Sequence, residues 1–321
     1  TEENSVGFTL FDGYVKHTDT LDIFNDDFGF SMANFIPNDS SKTFLSNAPA
    51  TQYANIEDYG TVGFWQPDSI NADKVNKIKF NYFDSTGASL GTDTIVKHAN
   101  TGAYVNWSDK AKKQLLFFGC FPGNLQNWST VFQALVTAGT IQGGYYTVQA
   151  LDSANQETLK PYTIQVNCPS GKGYESIRIC WLNQWGAWDY YTFTKKSVKS
   201  ISTKGTTYQQ LGGTWNEGVY RLDSYRGGKK SFRVNATEKI KMNTDFVSED
   251  DTVMFEELIN SPEVYLLEGY QTDGGFSSLN NYVTPVRLTT SSFTRKTIAN
   301  DKLMQYTFEI EKSKTLRTQS I

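Results

Sequence analysis

Hydrophobic positions in this chain alternate with polar ones more often than they recur at helical spacing. Residues 77–83 give the cleanest case: Ile78, Phe80 and Tyr82 fall on one side, Lys77, Lys79 and Asn81 on the other. A period of two sends neighbouring side chains to opposite faces of a strand, so a half-buried strand is expected there. Residues 84–90 supply turn formers and 94–97 a returning strand. Residues 145–151 and 162–166 repeat the alternation around a polar connection at 152–160, which predicts an antiparallel hairpin. A looser alternation occupies 6–10, and 197–208, rich in Ser, Thr and Lys, reads as an exposed hairpin or arm.

Helical spacing is sparse. Over 127–138, Val131, Phe132, Leu135 and Val136 recur at three-four spacing, Ser129 stands where a cap belongs and Gly139 ends the run. A second helix is expected over 248–260. Glu249, Asp250 and Asp251 suit the positive end of its dipole, and Pro262 lies just beyond it. Composition agrees with the pattern. Aromatics reach 14%, and with Val, Ile and Thr they fit half-buried pleated surfaces. The expected fold class is mainly β, with β-sandwich-like domains and one or two short helices. A length of 321 residues suggests two or three domains. Breaks at 168–173 and near 241–247 divide the chain into three parts. These are a β-rich, sandwich-type region at 1–168, a β-rich domain with an aromatic hairpin at 169–245, and an α+β segment at 246–321 packing on it.

Charge and cysteines narrow the function classes. The net charge of −4 lacks the positive footprint of a general nucleic-acid binder. Lys195, Lys196 and Lys199, and then Lys229, Lys230 and Arg233, read as charges alternating on exposed strand. Cys120, Cys168 and Cys180 are an odd set and no disulfide framework, which fits folding in a reducing compartment. A Cys168–Cys180 bridge is sterically conceivable across a hairpin, with nothing to favour it. No apolar run approaches the roughly 18 residues of a membrane span, and residues 1–10 lack the basic and apolar regions of a leader.

Motifs for chemistry are missing. The two histidines, His17 and His98, sit in no recognisable setting, and no HExxH, CxxC or G-x-S-x-G occurs. Residues 227–231 (GGKKS) resemble the tail of a phosphate loop, but the first glycine is replaced by Asp223. The run Glu249, Asp250, Asp251 does not follow the alternating ligand order of a calcium loop. Among 34 acidic residues a glycosidase-like pair has no positive mark. Trp65, Trp107, Trp128 and Trp215 could each serve a sugar platform, with packing the better reading. No catalytic residue, cofactor or metal site is expected.

The most informative segment is 181–193, WLNQWGAWDYYTF. A strand over 176–182 alternates Ile177, Ile179 and Trp181 with Arg178 and Cys180. Asn183, Gln184 and Gly186 make a turn, and 188–194 returns with aromatics on both faces. Asp189 is placed to brace the turn through backbone amides. Such a hairpin is buried on both sides, or in a partner. Trp181, Leu182, Asn183, Trp185, Gly186, Trp188, Asp189, Tyr190 and Phe193 are its motif positions.

This motif resembles the W-L-N-x-x-G-x-x-D-[YF]-x-x-F pattern of virion structural proteins from tailed bacteriophages, the marine type included. Segments 115–125, 162–168, 256–267, 282–290 and 300–311 are similar to theirs in the same order, so the resemblance covers roughly 115–315; residues 1–110 have no counterpart. It implies a tail, neck or baseplate component without catalytic residues, assembled in the host cytoplasm into the virion. Its partners would be copies of itself in a symmetric ring and other virion proteins, with no sequence-specific nucleic-acid binding and no membrane insertion. The C-terminal half would dock in the ring and the N-terminal half project. The alternatives are a glycan- or receptor-binding tail-tip module, then a polysaccharide depolymerase.

Overall fold

A computed structural model describes residues 35–66, 75–96, 114–168, 174–213, 218–219, 221, 227–249, 251–268, 282–290, 304–313 and 316–317. The strand expected at 6–10, both histidines, Trp107, Trp215 and Asp250 lie outside them.

The first half builds two sheets. β1 (Thr51–Ala54), β2 (Thr61–Gln66), β3 (Lys77–Phe83), β4 (Ser89–Val96) and β5 (Gln114–Gly119) precede two short helices, α1 (Pro122–Trp128) and α2 (Thr130–Thr137). β6 (Tyr145–Leu151) and β7 (Tyr162–Val166) follow. One sheet has the order β1-β7-β6-β3-β4, and β2 pairs with β5 in the other. The alternation in β3 places Ile78, Phe80 and Tyr82 wholly inside. They meet Tyr146 and Val148 of β6, Phe64 of β2, Phe118 of β5 and Phe132 of α2 in one core. Burying each such ring contributes on the order of 2–3 kcal/mol. Ser129 begins α2 by accepting a hydrogen bond from the Phe132 N–H at 2.8 Å. Its hydroxyl also donates to Asp93, which accepts from the Tyr82 hydroxyl as well. The seven residues of α1 carried no periodic signal; Pro122 starts that helix and its buried face is Pro122, Gly123 and Leu125.

The second half is one twisted sheet with a helix on it. β8 (Ile177–Leu182), β9 (Trp188–Phe193), β10 (Val198–Gln210), β11 (Gly228–Asn243), α3 (Asp251–Asn260), β12 (Val264–Leu267), β13 (Val283–Leu288), β14 (Thr307–Lys312) and β15 (Leu316–Arg317) complete the chain. The strand order is β10-β11-β14-β13-β12-β8-β9, with β15 on β11. α3 lays Met254, Phe255 and Leu258 on the face formed by Ile179, Trp181, Phe193 and Phe308. The chain is mainly β with few short helices. The division expected near residue 245 does not appear in the sheet. β12 lies between β8 and β13, and β14 pairs with β11, so strands of 169–245 and 246–321 share one core. Soft composition at 241–247 marks the sheet's exit into α3, not a domain boundary.

All three cysteines are free; Cys120 and Cys180 are buried and Cys168 is exposed. Burial pushes the Cys180 thiol up to about 12, and the Cys120 thiol upward for the same reason. A thiol reagent is therefore expected to modify one cysteine, Cys168, in the folded chain and all three after denaturation, as counted by intact mass.

Candidate functional site

The aromatic hairpin lies between the two cores. Pairing of Trp181 with Asp189, Ile179 with Tyr191 and Ile177 with Phe193 sets one face of β8 and β9 toward the second core. Arg178, Cys180, Tyr190 and Thr192 occupy the opposite face by the same register. That second face meets the first core. Hence β8 is buried along both faces, and its aromatic neighbours are within this chain. Trp185 packs on Phe35 with ring centroids 4.1 Å apart, and Trp188 meets Tyr265 edge-on.

The turn is built by Asn183. Its Oδ1 accepts from the backbone N–H groups of Trp185 and Ala187 at 3.0 and 2.9 Å, and its Nδ2 donates to the Leu45 carbonyl at 2.9 Å. Gly186 has a φ of 75°, the left-handed region where a side chain is strained. Asp189 does not bind the turn amides as expected. Its carboxylate accepts from Asn183 Nδ2 at 3.2 Å and from Ser46 Oγ at 2.5 Å, tying the turn to segment 44–48 instead.

Arg178 joins the two halves. Its Nε donates to the Tyr59 carbonyl at 2.9 Å and its Nη1 to Thr192 Oγ1 at 2.7 Å. Nη1 also lies 3.4 Å from Asp58 Oδ2, which accepts from Thr192 Oγ1 at 2.7 Å. The guanidinium sits 4.6 Å from the Phe121 ring centre and 5.1 Å from that of Tyr190, within cation–π range. A Cβ at Gly60 would fall 2.5 Å from the Phe121 ring, so only glycine lets that strand end approach the clamp. Residues 58, 60 and 121 belong to the first half, and 178, 190 and 192 to the second.

A second polar junction runs beside it. Asp189 and Glu257 are both buried and bear on each other electrostatically. Glu257 also accepts from Asn47 Nδ2 at 2.6 Å. Burial pushes the Asp189 carboxyl up from 3.8 to about 6, against the lowering effect of its hydrogen bonds to Ser46, Asn183, Glu257 and the Asn47 amide.

The motif positions are thus spent inside the molecule, and the free surface lies elsewhere. β10 and β11 pair over thirteen residue pairs, from Val198–Lys241 to Gln210–Gly228. β14 and β15 support β11 only at 235–236 and 239–243. Beyond that, residues 203–210 and 228–234 form a two-stranded ribbon exposed on both faces for about 25 Å, at roughly 3.3 Å per residue. Its outer edge, β10, is the edge of the whole sheet. Ile201 is 64% exposed and Phe232 63% exposed, although these residue types favour burial. The run 227–231 feeds this strand, not a phosphate loop. The element that stands free therefore comes from the second half. Of the tryptophans weighed for a sugar platform, Trp65 packs on the Leu45–Trp185 cluster and Trp128 on Phe80.

Among the described residues no group of three or more His, Cys, Asp or Glu could hold a metal, and no helix is long and apolar enough to cross a membrane. Comparison with family models, characterised proteins and solved structures gives no match to this chain.

Arg178→Ala is expected to cost about 3–5 kcal/mol of unfolding free energy, read by urea denaturation, because Asp58 is left buried without its cation. Arg178→Lys should recover little, since an ammonium neither forks between Tyr59 and Thr192 nor lies flat on two rings. The Asp189 shift fixes a pH trend. A carboxyl whose folded pKa is raised stabilises fully below its unfolded value and loses that contribution as pH rises through about 6. Unfolding free energy from this group should therefore fall by on the order of 1 kcal/mol between pH 5 and 7.5. In Asp189→Asn that difference should shrink, as measured by denaturation at both pH values.

Proposed function

We propose that this chain is a structural protein of a tailed bacteriophage particle, a tail, neck or baseplate component that acts by protein–protein assembly. The observation that carries the reading is the ribbon of β10 and β11. Two-stranded ribbons are marginal in water, and a long edge with exposed apolar side chains invites pairing with another chain. Here Ile201, Tyr208 and Phe232 stand exposed on such a ribbon. A partner that covers it explains why the sequence retains them. The body below is fitted to bear load, with its two cores held by Arg178, Asp58 and Asp189. The ordered resemblance over 115–315 supports a virion as the setting. The aromatic hairpin's part is then to hold the body rigid while the ribbon makes the contact.

The test is sedimentation of the purified chain over a wide concentration range, with electron microscopy of any assemblies and of virions that contain it. Concentration-dependent closed rings or filaments, and density for the chain in the particle, are expected. A chain that stays monomeric at high concentration and is missing from the particle contradicts the reading.

A further inference from the structure

The ribbon carries more of its basic charge on one face than on the other, where Lys229 stands opposite Gln209. Register places Lys204 opposite Asn235, Thr206 opposite Arg233 and, past the irregularity at 206/207, Tyr208 opposite Lys230. Paired residues share a face and alternate along each strand. Lys204, Arg233, Lys230 and Tyr208 therefore lie on one face. The hydrogen bond from Arg233 Nε to Asn235 Oδ1 agrees with that placement. Segment 203–235 holds six basic and two acidic residues, a net +4, which leaves 24 basic and 32 acidic residues, net −8, in the rest of the chain.

A complementary patch lies at the ribbon's root. Phe246 is 60% exposed, and its backbone N–H donates to Asp245 Oδ1 at 2.7 Å. Glu249 is exposed three residues further on. Lys195 pairs with Asp245 at 2.7 Å, which anchors this patch to the start of β10. Basic residues with Tyr208 thus stand at the outer ribbon, and acidic residues with Phe246 at its base.

We infer that the outer ribbon of one copy docks its Lys204–Tyr208–Lys230–Arg233 face on the Asp245–Phe246–Glu249 patch of a second copy. The contact is head-to-tail, so it propagates, closing into a ring or extending as a filament according to the rotation per step. The paired ribbon is roughly 40 Å long at about 3.3 Å per residue, and that length sets the scale of the step between copies. A second copy fits better than nucleic acid for two reasons. The rest of the chain is itself acidic, and the ribbon presents the exposed Phe232 next to Arg233 in sequence. The inference rests on the assembly role proposed above and names its partner.

Paired charge reversal tests it. Lys204→Glu, Lys230→Glu and Arg233→Glu together reverse the ribbon, and Asp245→Lys with Glu249→Lys reverse the patch. Lys204, Lys230, Arg233 and Glu249 are exposed and Asp245 is half-buried beside Lys195, and thermal unfolding confirms that each variant folds. Each variant alone should self-associate roughly a hundredfold more weakly than the parent by sedimentation, because like charges then face each other. An equimolar mixture should regain assembly, since each reversed surface meets its complement. Added salt should weaken the parent's assembly. Assembly that survives ribbon reversal overturns the docking while leaving the assembly role standing. A mixture that does not assemble, or a monomeric parent whose ribbon binds duplex DNA instead, overturns it too.

Discussion

A guanidinium buried between two hydrophobic cores is costly, and the fold is organised around making that cost recoverable. Arg178 cannot lose its charge, so its donors must be met inside the protein. The Tyr59 carbonyl, Thr192 and Asp58 meet Nε and Nη1, and the rings of Phe121 and Tyr190 cover the faces. Nη2 is buried without a hydrogen-bond partner among the described residues, a cost the clamp carries. These partners come from loops and strands more than a hundred residues apart in sequence. The clamp therefore forms only when both halves are folded and correctly apposed, and it couples their stability. The polar junction of Ser46 with Asp189 and Asn47 with Glu257 repeats the device on the other face of β9, with hydrogen bonds where the first uses a cation.

Because β8 and β9 serve both cores, the sheet they belong to cannot slide against the first half. Rigidity at this end lets the other end extend without support. β11 begins as the partner of β10 alone, meets β15 from Asn235 and joins β14 from Lys239. Packing thus decides where contact with another molecule is open. The most aromatic segment of the sequence is internal, and the polar-looking stretch at 198–210 is exposed almost throughout among the described residues.

Local periodicity made much of the architecture readable. The alternation at 77–83, the hairpin of 145–151 with 162–166, the Ser129-capped helix and the exposed arm near 197–208 all follow from neighbouring residues. Long-range partnerships left no such mark. Arg178 amid Ile177, Ile179 and Trp181 signals that a buried charge needs a partner, but nothing around Asp58 identifies it as that partner. Ser46 and Glu257 were equally silent, since a serine in a loop and a glutamate on a helix are ordinary surface residues until tertiary packing encloses them. The seven residues of α1 were too short for a period to emerge. The composition break at 241–247 misled because the strand order of a sheet need not follow the sequence.

β8 and β9 form the rigid junction, while the outer ribbon has no further strand on it among the described residues. Residue-resolved hydrogen exchange of the purified chain at low concentration tests this most directly. Paired amides of 177–182 and 188–193 are expected to exchange only through global unfolding, while paired amides of 203–210 and 228–234 exchange many orders of magnitude faster through local opening. Equal protection in the two regions, or fast exchange in the aromatic hairpin, would contradict it.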